Sequence, residues 1–217
     1  LADSPVVLIH GPRQCGKTTL VRLVGDEEGF PYFTFDDDVQ RAAAQADPVG
    51  YVADLPERAV LDEIQRVPEL FTSFKAVVDA RRTPGRFILT GSANVLLVPK
   101  LSDSLAGRME ILRLHPLSQA EVARKAPDFL GRLFAADFRA GPSGRRQGKA
   151  LAERVVGGGF PAALARAAQR RRFAWYRDYA ETLIQRDVRD LARISALDAL
   201  PRLLTAAAGQ TACLVNV

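Results

Sequence analysis

"GPRQCGKTTL", residues 11–20, follows the apolar run Val6-Val7-Leu8-Ile9 and precedes a stretch with helical spacing. Gly11, Gly16, Lys17 and Thr18 satisfy G-x-x-x-x-G-K-[ST], the pattern of a phosphate-binding loop. Each residue type has a physical reason. Glycines let the backbone curl until consecutive N–H groups point inward at an anion, and the following helix adds the positive end of its dipole. Lys17 would reach the β- and γ-phosphates of a nucleoside triphosphate, and the Thr18 hydroxyl would ligate Mg²⁺. A strand before the loop and a helix after it are the context such a loop requires, and both patterns are present. Cys15 reads as a small packing residue rather than a reactive thiol.

Outward from the loop, the first half alternates short apolar runs with helical patterns, the signature of a parallel sheet covered by helices. Five strands are expected, at 6–10, 32–35, 59–61, 87–90 and 109–114. Helices are expected at 17–24, around 38–46 and at 70–80, where Phe71, Phe74, Val77 and Val78 recur every three to four residues. After His115-Pro116 only helical patterns remain. Ser118 followed by Glu121 is a capping box, and Phe173, Tyr176, Ala180, Leu183, Ile184, Val188 and Leu191 form an apolar stripe. Loops are expected at 139–149 and at "GGGFP", 157–161. A last helix should begin near Ser195 to Asp198 and stop near Gly209. The expected organisation is an α/β core at 1–115, a helical lid region at 116–209, and the start of a further domain at 210–217.

A second stretch belongs with the loop. "AVLDEIQ", residues 59–65, is an apolar strand ending in two adjacent carboxylates. Beside a phosphate loop, Asp62 would hold Mg²⁺ and Glu63 would orient and polarise an attacking water. The strand at 87–90 runs into "TGSAN", where Ser92, Thr90 or Asn94 could sense the γ-phosphate, and Ser92 is the best single choice. Arg108 stands at the start of the last strand. It reads either as a surface arginine or as a residue that stabilises transition-state charge in a neighbouring subunit.

Composition bounds what else the chain can be. Its 217 residues suffice for one generous domain or a core with a smaller appended one. No apolar stretch approaches the ~20 residues of a membrane span. Cys15 and Cys213 lie at opposite ends with no ligand spacing, which favours neither disulfides nor zinc and fits a reducing, cytoplasmic setting. Leu1 in place of Met predicts that the natural chain extends further towards its N-terminus. Residues 1–114 carry 13 Lys+Arg against 16 Asp+Glu, whereas the remainder carries 17 against 9. That basic surplus, densest at Arg170-Arg171-Arg172 and 139–149, suits either a polyanion such as DNA or an ordinary solvated helix face.

"GPRQCGKTTL", "VLDEIQRVPELF", "FILTGSAN", "LAGRMEILRLHPLS", "GGGFP" and "YAETLIQRDV", in this order, resemble the prokaryotic AAA+-type ATPases that carry a C-terminal domain of unknown function. The resemblance spans nearly the whole chain. It implies a three-layer P-loop NTPase core of α/β class with a parallel five-stranded sheet in the order 5-1-4-3-2. A helical lid, then a winged-helix and nuclease-like domain, would follow, with Val217 falling where the winged helix should begin. By the same resemblance Gly11, Pro12, Arg13, Gln14, Cys15, Gly16, Lys17, Thr18 and Thr19 bind ATP, Thr18 and Asp62 hold Mg²⁺, and Glu63 and Lys17 are catalytic. Ser92 is the sensor candidate and Arg108 the arginine-finger candidate. Cys15 stands where Val is commoner in such proteins. The leading expectation is a Mg²⁺-dependent ATPase that moves its basic helical part on nucleic acid or a protein partner, possible as a homo-oligomer. A nucleotide-gated regulatory module of toxin-antitoxin type and a small-molecule kinase are the rivals; the Asp-Glu pair and the long helical half disfavour the kinase.

Overall fold

Val6, Val7, Leu8 and Ile9 are all buried, which a strand achieves only where helices cover both faces of its sheet. The computed structural model describes residues 1–92, 95, 107–126, 128–135, 148–185 and 199–210. The chain divides into two compact units, Leu1–Arg145 with Gly159–Pro161, and Arg146–Gly158 with Ala162–Val217.

In the first unit, β1 (Val6–Gly11), β2 (Tyr32–Thr34), β3 (Ala59–Asp62), β4 (Phe87–Ser92) and β5 (Met109–Arg113) form one parallel sheet. Its order is β2-β3-β4-β1-β5, the order implied by the resemblance. Alternation along β1 sends Val6 and Leu8 to one face, with Phe35, Leu61, Phe71, Phe74 and Leu89, and Val7 and Ile9 to the other, with Val21, Phe30, Val60 and Ile88. Parallel neighbours require crossover helices, which complete the three layers.

Those helices are α1 (Lys17–Glu28), α2 (Asp38–Ala46), α3 (Pro48–Ala53) and α4 (Leu70–Ala80). α1 runs one turn beyond the expected end, because its stop signal is Gly29, left-handed at φ 73°. α3 is absent from the sequence reading. Asp47 ends α2 and caps α3 by accepting from the Gly50 N–H at 2.9 Å, with Pro48 as its first residue. α4 buries Phe71, Phe74 and Val78, as its spacing requires, and Phe74 meets Phe87 edge-on with ring centroids 5.0 Å apart. α5 (Gln119–Val122) carries the expected capping box at Ser118 and Glu121, and α6 (Phe129–Phe134) follows. Gly159 joins this unit because the Leu117 N–H donates to its carbonyl at 2.8 Å. A Cβ at Gly159 would stand 2.1 Å from the Leu117 carbonyl oxygen, so only glycine fits the approach.

The described part of the second unit is helical: α7 (Gly148–Gly157), α8 (Pro161–Leu164), α9 (Gln169–Leu183) and α10 (Leu200–Gly209). Of the stripe expected on α9, Tyr176, Ala180 and Leu183 are half-buried and Ile184 is buried, while Phe173 departs from it. Phe173 is half exposed while Trp175, two residues on, takes the inner position, stacked on Tyr179 at 4.9 Å and edge-on to Tyr176 at 5.0 Å. The larger indole gains more from burial, and the Tyr176 hydroxyl donates to the Gly157 carbonyl at 3.0 Å. Asn94, Arg186, Asp187, Val188, Leu191, 139–147, 195–198 and 211–217 lie outside the described residues.

Candidate nucleotide site

The order β3-β4-β1 sets three strand ends side by side at the carboxyl edge of the sheet, where open α/β folds place their ligand crevice. β1 delivers the loop, β3 delivers Asp62-Glu63, and β4 delivers Thr90 and Ser92. Gly11 is the last residue of β1 and pairs with Ser92. Gly16 closes the loop at φ 106°, a backbone open to glycine alone, and leads directly into α1. Pro12 and Arg13 are half-buried and Gln14 exposed, with φ 60° at Gln14. Cys15 is buried, its Sγ donating to the Leu114 carbonyl at 3.6 Å, so it packs inward as a small residue.

Lys17 is buried, and its ammonium donates to the carbonyls of Gly11 at 3.2 Å and Pro12 at 3.0 Å. The amine is thus folded over the mouth of the loop by neutral acceptors that a phosphate oxygen can replace. Thr19 is exposed on the first turn of α1.

Three hydroxyls converge on the buried Asp62. Thr18 Oγ1 donates to Oδ2 at 2.8 Å, Tyr32 donates to the same oxygen at 2.6 Å, and Thr90 Oγ1 donates to Oδ1. Tyr32 is itself held by the Arg22 guanidinium 4.0 Å above its ring. Burial, then the bond to Asp62, pushes the Tyr32 phenol above its ordinary value, so it remains a donor at neutral pH.

Glu63 is one of the few described residues other than glycine in the left-handed region, at φ 59° and ψ 42°. Such a backbone costs about 1–2 kcal/mol and persists only where the surroundings hold it. Here the Glu63 N–H donates to Thr90 Oγ1 at 3.1 Å, and its carboxylate accepts from the Gln65 amide. Ser92 is buried, and its N–H donates to Gln65 Oε1 at 3.4 Å. Arg108 does not join this cluster. It stands before β5 at the amino edge of the sheet, with Nε and Nη2 on Asp79 at 2.6 and 2.9 Å.

The residues present fit a Mg²⁺-nucleotide. Mg²⁺ takes one or two protein oxygens and keeps waters and phosphates for the rest; the Thr18 hydroxyl and Asp62 carboxylate, already 2.8 Å apart, supply two.

A family model described as "AAA domain" matches residues 3–123, which is most of the first unit. The chain belongs to the AAA family. A domain of unknown function matches residues 148–217. Uncharacterized proteins of Mycobacterium bovis and Mycobacterium tuberculosis are each 35% identical over 192 residues, covering 88% of this chain and 38% of theirs. The chain therefore spans well under half the length of these relatives. Among solved structures, the Aeropyrum pernix ORC1 protein in complex with DNA has a TM-score of 0.34 at 19% identity, over 62% of this chain and 44% of that one. An unliganded sugar kinase from Janibacter has a TM-score of 0.28 at 19% identity, over 64% and 81%. Scores this low establish no common fold. Within the described residues no helix is long and apolar enough to cross a membrane.

Within the AAA domain, sequence reasoning missed Tyr32, Gln65 and His10. Tyr32 looked like a strand residue and nothing more. Gln65 stands two residues after Glu63, a spacing that becomes meaningful only once a 3₁₀ turn (Ile64–Arg66) folds it back. His10, the residue before the loop, is buried with Nδ1 lacking a hydrogen-bond partner among the described residues. Burial, then the charges of Arg113, Lys17 and His115, lowers its pKa below 6.5 and favours the neutral ring.

Proposed function

We propose that this AAA protein is a Mg²⁺-dependent ATPase whose binding and hydrolysis of ATP move the basic helical part of the chain on a nucleic-acid or protein partner. The observation that carries the reading is the bond from Thr18 to Asp62, which joins the end of the phosphate loop to the end of β3. In this reading the loop from Gly11 to Thr19 cradles the phosphates with its backbone N–H groups, and Lys17 exchanges two carbonyls for β- and γ-oxygens. Bound Mg²⁺ would neutralise charge developing between the β- and γ-phosphates. Thr18 and Asp62 would hold that ion, with Tyr32 and Thr90 orienting the carboxylate. Glu63 would polarise the attacking water, and Ser92 at the end of β4 would report on the γ-phosphate.

Arg108 would act on a neighbouring subunit's nucleotide in a homo-oligomer, exchanging Asp79 for phosphate. Replacing it with Ala is expected to leave binding intact and impair hydrolysis in the assembled state; unchanged turnover there removes Arg108 from the mechanism. The net positive charge after residue 114 supports a polyanionic partner. The test of the whole reading is phosphate release by the intact protein, with and without DNA, beside Glu63→Gln. Release no faster than in that variant rejects hydrolysis and favours a nucleotide-gated regulatory module, whereas phosphate appearing on an added acceptor indicates a kinase.

A further inference from the structure

We infer that Gln65 is the positioning residue that sets the Glu63 carboxylate and ties it to the end of β4. The inference rests on the hydrolytic reading above and names the side chain through which Glu63 would be aimed. Gln65 is half-buried in the turn directly after β3. Its amide makes two contacts in opposite senses: Nε2 donates to Glu63 Oε2, and Oε1 accepts from the Ser92 N–H at 3.4 Å. The chemistry of the partners fixes the orientation of the amide. An ionised carboxylate only accepts and a backbone N–H only donates, so a flipped amide would oppose like groups at both ends. One side chain therefore bridges the ends of β3 and β4, beside the strand that carries the phosphate loop.

Glu63 needs such a partner because β3 does not aim it. Its left-handed backbone takes it off the alternation of the strand, and Thr90 holds only its N–H. A glutamate side chain has freely rotating bonds, and each is costly to immobilise at the moment of reaction. Gln65 holds Oε2 beforehand and leaves Oε1 as the acceptor for water. Because Ser92 pairs with Gly11 across the sheet, the same amide links Glu63 to the strand end beside the loop. Side chains that orient a functional group in this way typically cost about 10–100-fold when removed.

The test compares Gln65→Leu, which keeps the volume and deletes both polar contacts, with Gln65→Ala in the intact protein. Three quantities are read: the phosphate-release rate, the affinity for Mg²⁺-ADP-aluminium fluoride relative to Mg²⁺-ADP, and the melting temperature. We expect roughly 10–100-fold losses in the first two, with ADP affinity unchanged and only a small fall in melting temperature from the Ser92 N–H left without its acceptor. In a Glu63→Gln background, the same substitutions should have no further effect, since Gln65 acts through Glu63. Equal losses in that background overturn the inference, as does weakened ADP binding in step with turnover. If Gln65→Leu fails to fold, Gln65→Ala is read in the same way. An unsubstituted protein that prefers the aluminium fluoride complex, with Gln65 variants that prefer it equally, rejects the role of Gln65 alone. An unsubstituted protein that neither releases phosphate nor prefers the complex rejects the hydrolytic reading, and the role of Gln65 with it.

Discussion

The two edges of the sheet use polar groups in opposite ways. At the amino edge, Arg86 is buried and donates to the carbonyls of Val77 at 3.1 Å and Arg81 at 3.2 Å, which closes the last turn of α4. Arg108 grips Asp79 there with two bonds, and that guanidinium holds the Asp79 carboxyl below its ordinary value. At the carboxyl edge, Asp62 is met by three neutral hydroxyls, and Lys17 by two neutral carbonyls. Hydrogen bonds with one charged partner are weaker than paired ions in fork geometry, and hydroxyls can turn from donor to acceptor. Arg86 at the amino edge thus serves the fold, whereas the neutral partners of Asp62 and Lys17 at the carboxyl edge suit exchange.

The sharpest way to break this comparison is Glu63→Gln. A lost general base should lower turnover by about 10²–10⁴-fold while the melting temperature holds, because Gln still accepts from Gln65. A stability loss without a turnover loss would make the carboxyl edge structural. Lys17→Ala comes next. Removing one charge-assisted phosphate contact, of about 3 kcal/mol, predicts roughly 100-fold weaker nucleotide binding by titration calorimetry, again with the nucleotide-free fold intact. At the other edge, Arg86→Met should do the reverse. Loss of the guanidinium's bonds to the Val77 and Arg81 carbonyls predicts a loss of about 1–3 kcal/mol in denaturant unfolding and no change in nucleotide affinity.

The smallest expected effect concerns His10. Its folded pKa is lowered, so the unfolded chain takes up the proton at higher pH than the folded one. Its contribution is complete above about pH 6.5 and is lost as the pH falls from there towards the folded value. His10→Phe should flatten that part of the melting-temperature profile, and an unchanged slope would show that another group carries it.

Much of the core was legible because its causes are local. Four consecutive apolar residues before a glycine-rich turn specify a buried strand, and the spacing of Phe71, Phe74 and Val78 specifies the inner face of α4. α3 escaped notice although Asp47-Pro48 is a start signal, because six residues are too few to display a period. Periodicity alone puts Phe173 inside with Tyr176, Ala180 and Ile184, but near the start of α9 the larger Trp175 takes the inner position. In the site, the motif residues were named from the chain, but Tyr32 and Gln65 were not. Tyr32 belongs to no motif and Gln65 stands in the 59–65 stretch with no role of its own there; each matters through a partner that the fold brings to it.

The sequence by itself determined the phosphate loop, the acidic strand end and the parallel α/β class, because these follow from residue type, short spacing and alternation. Only the tertiary structure decided what surrounds Asp62 and Glu63. The strand order sets β3, β4 and β1 side by side, so hydroxyls 30 and 28 residues away reach Asp62, and an amide from one turn reaches the backbone of another strand. Arg108, which precedes the parallel strand β5, stands at the opposite edge, and the fold brings Asp79 to it there. Such neighbours are fixed by how crossovers close in space, and no local pattern records that.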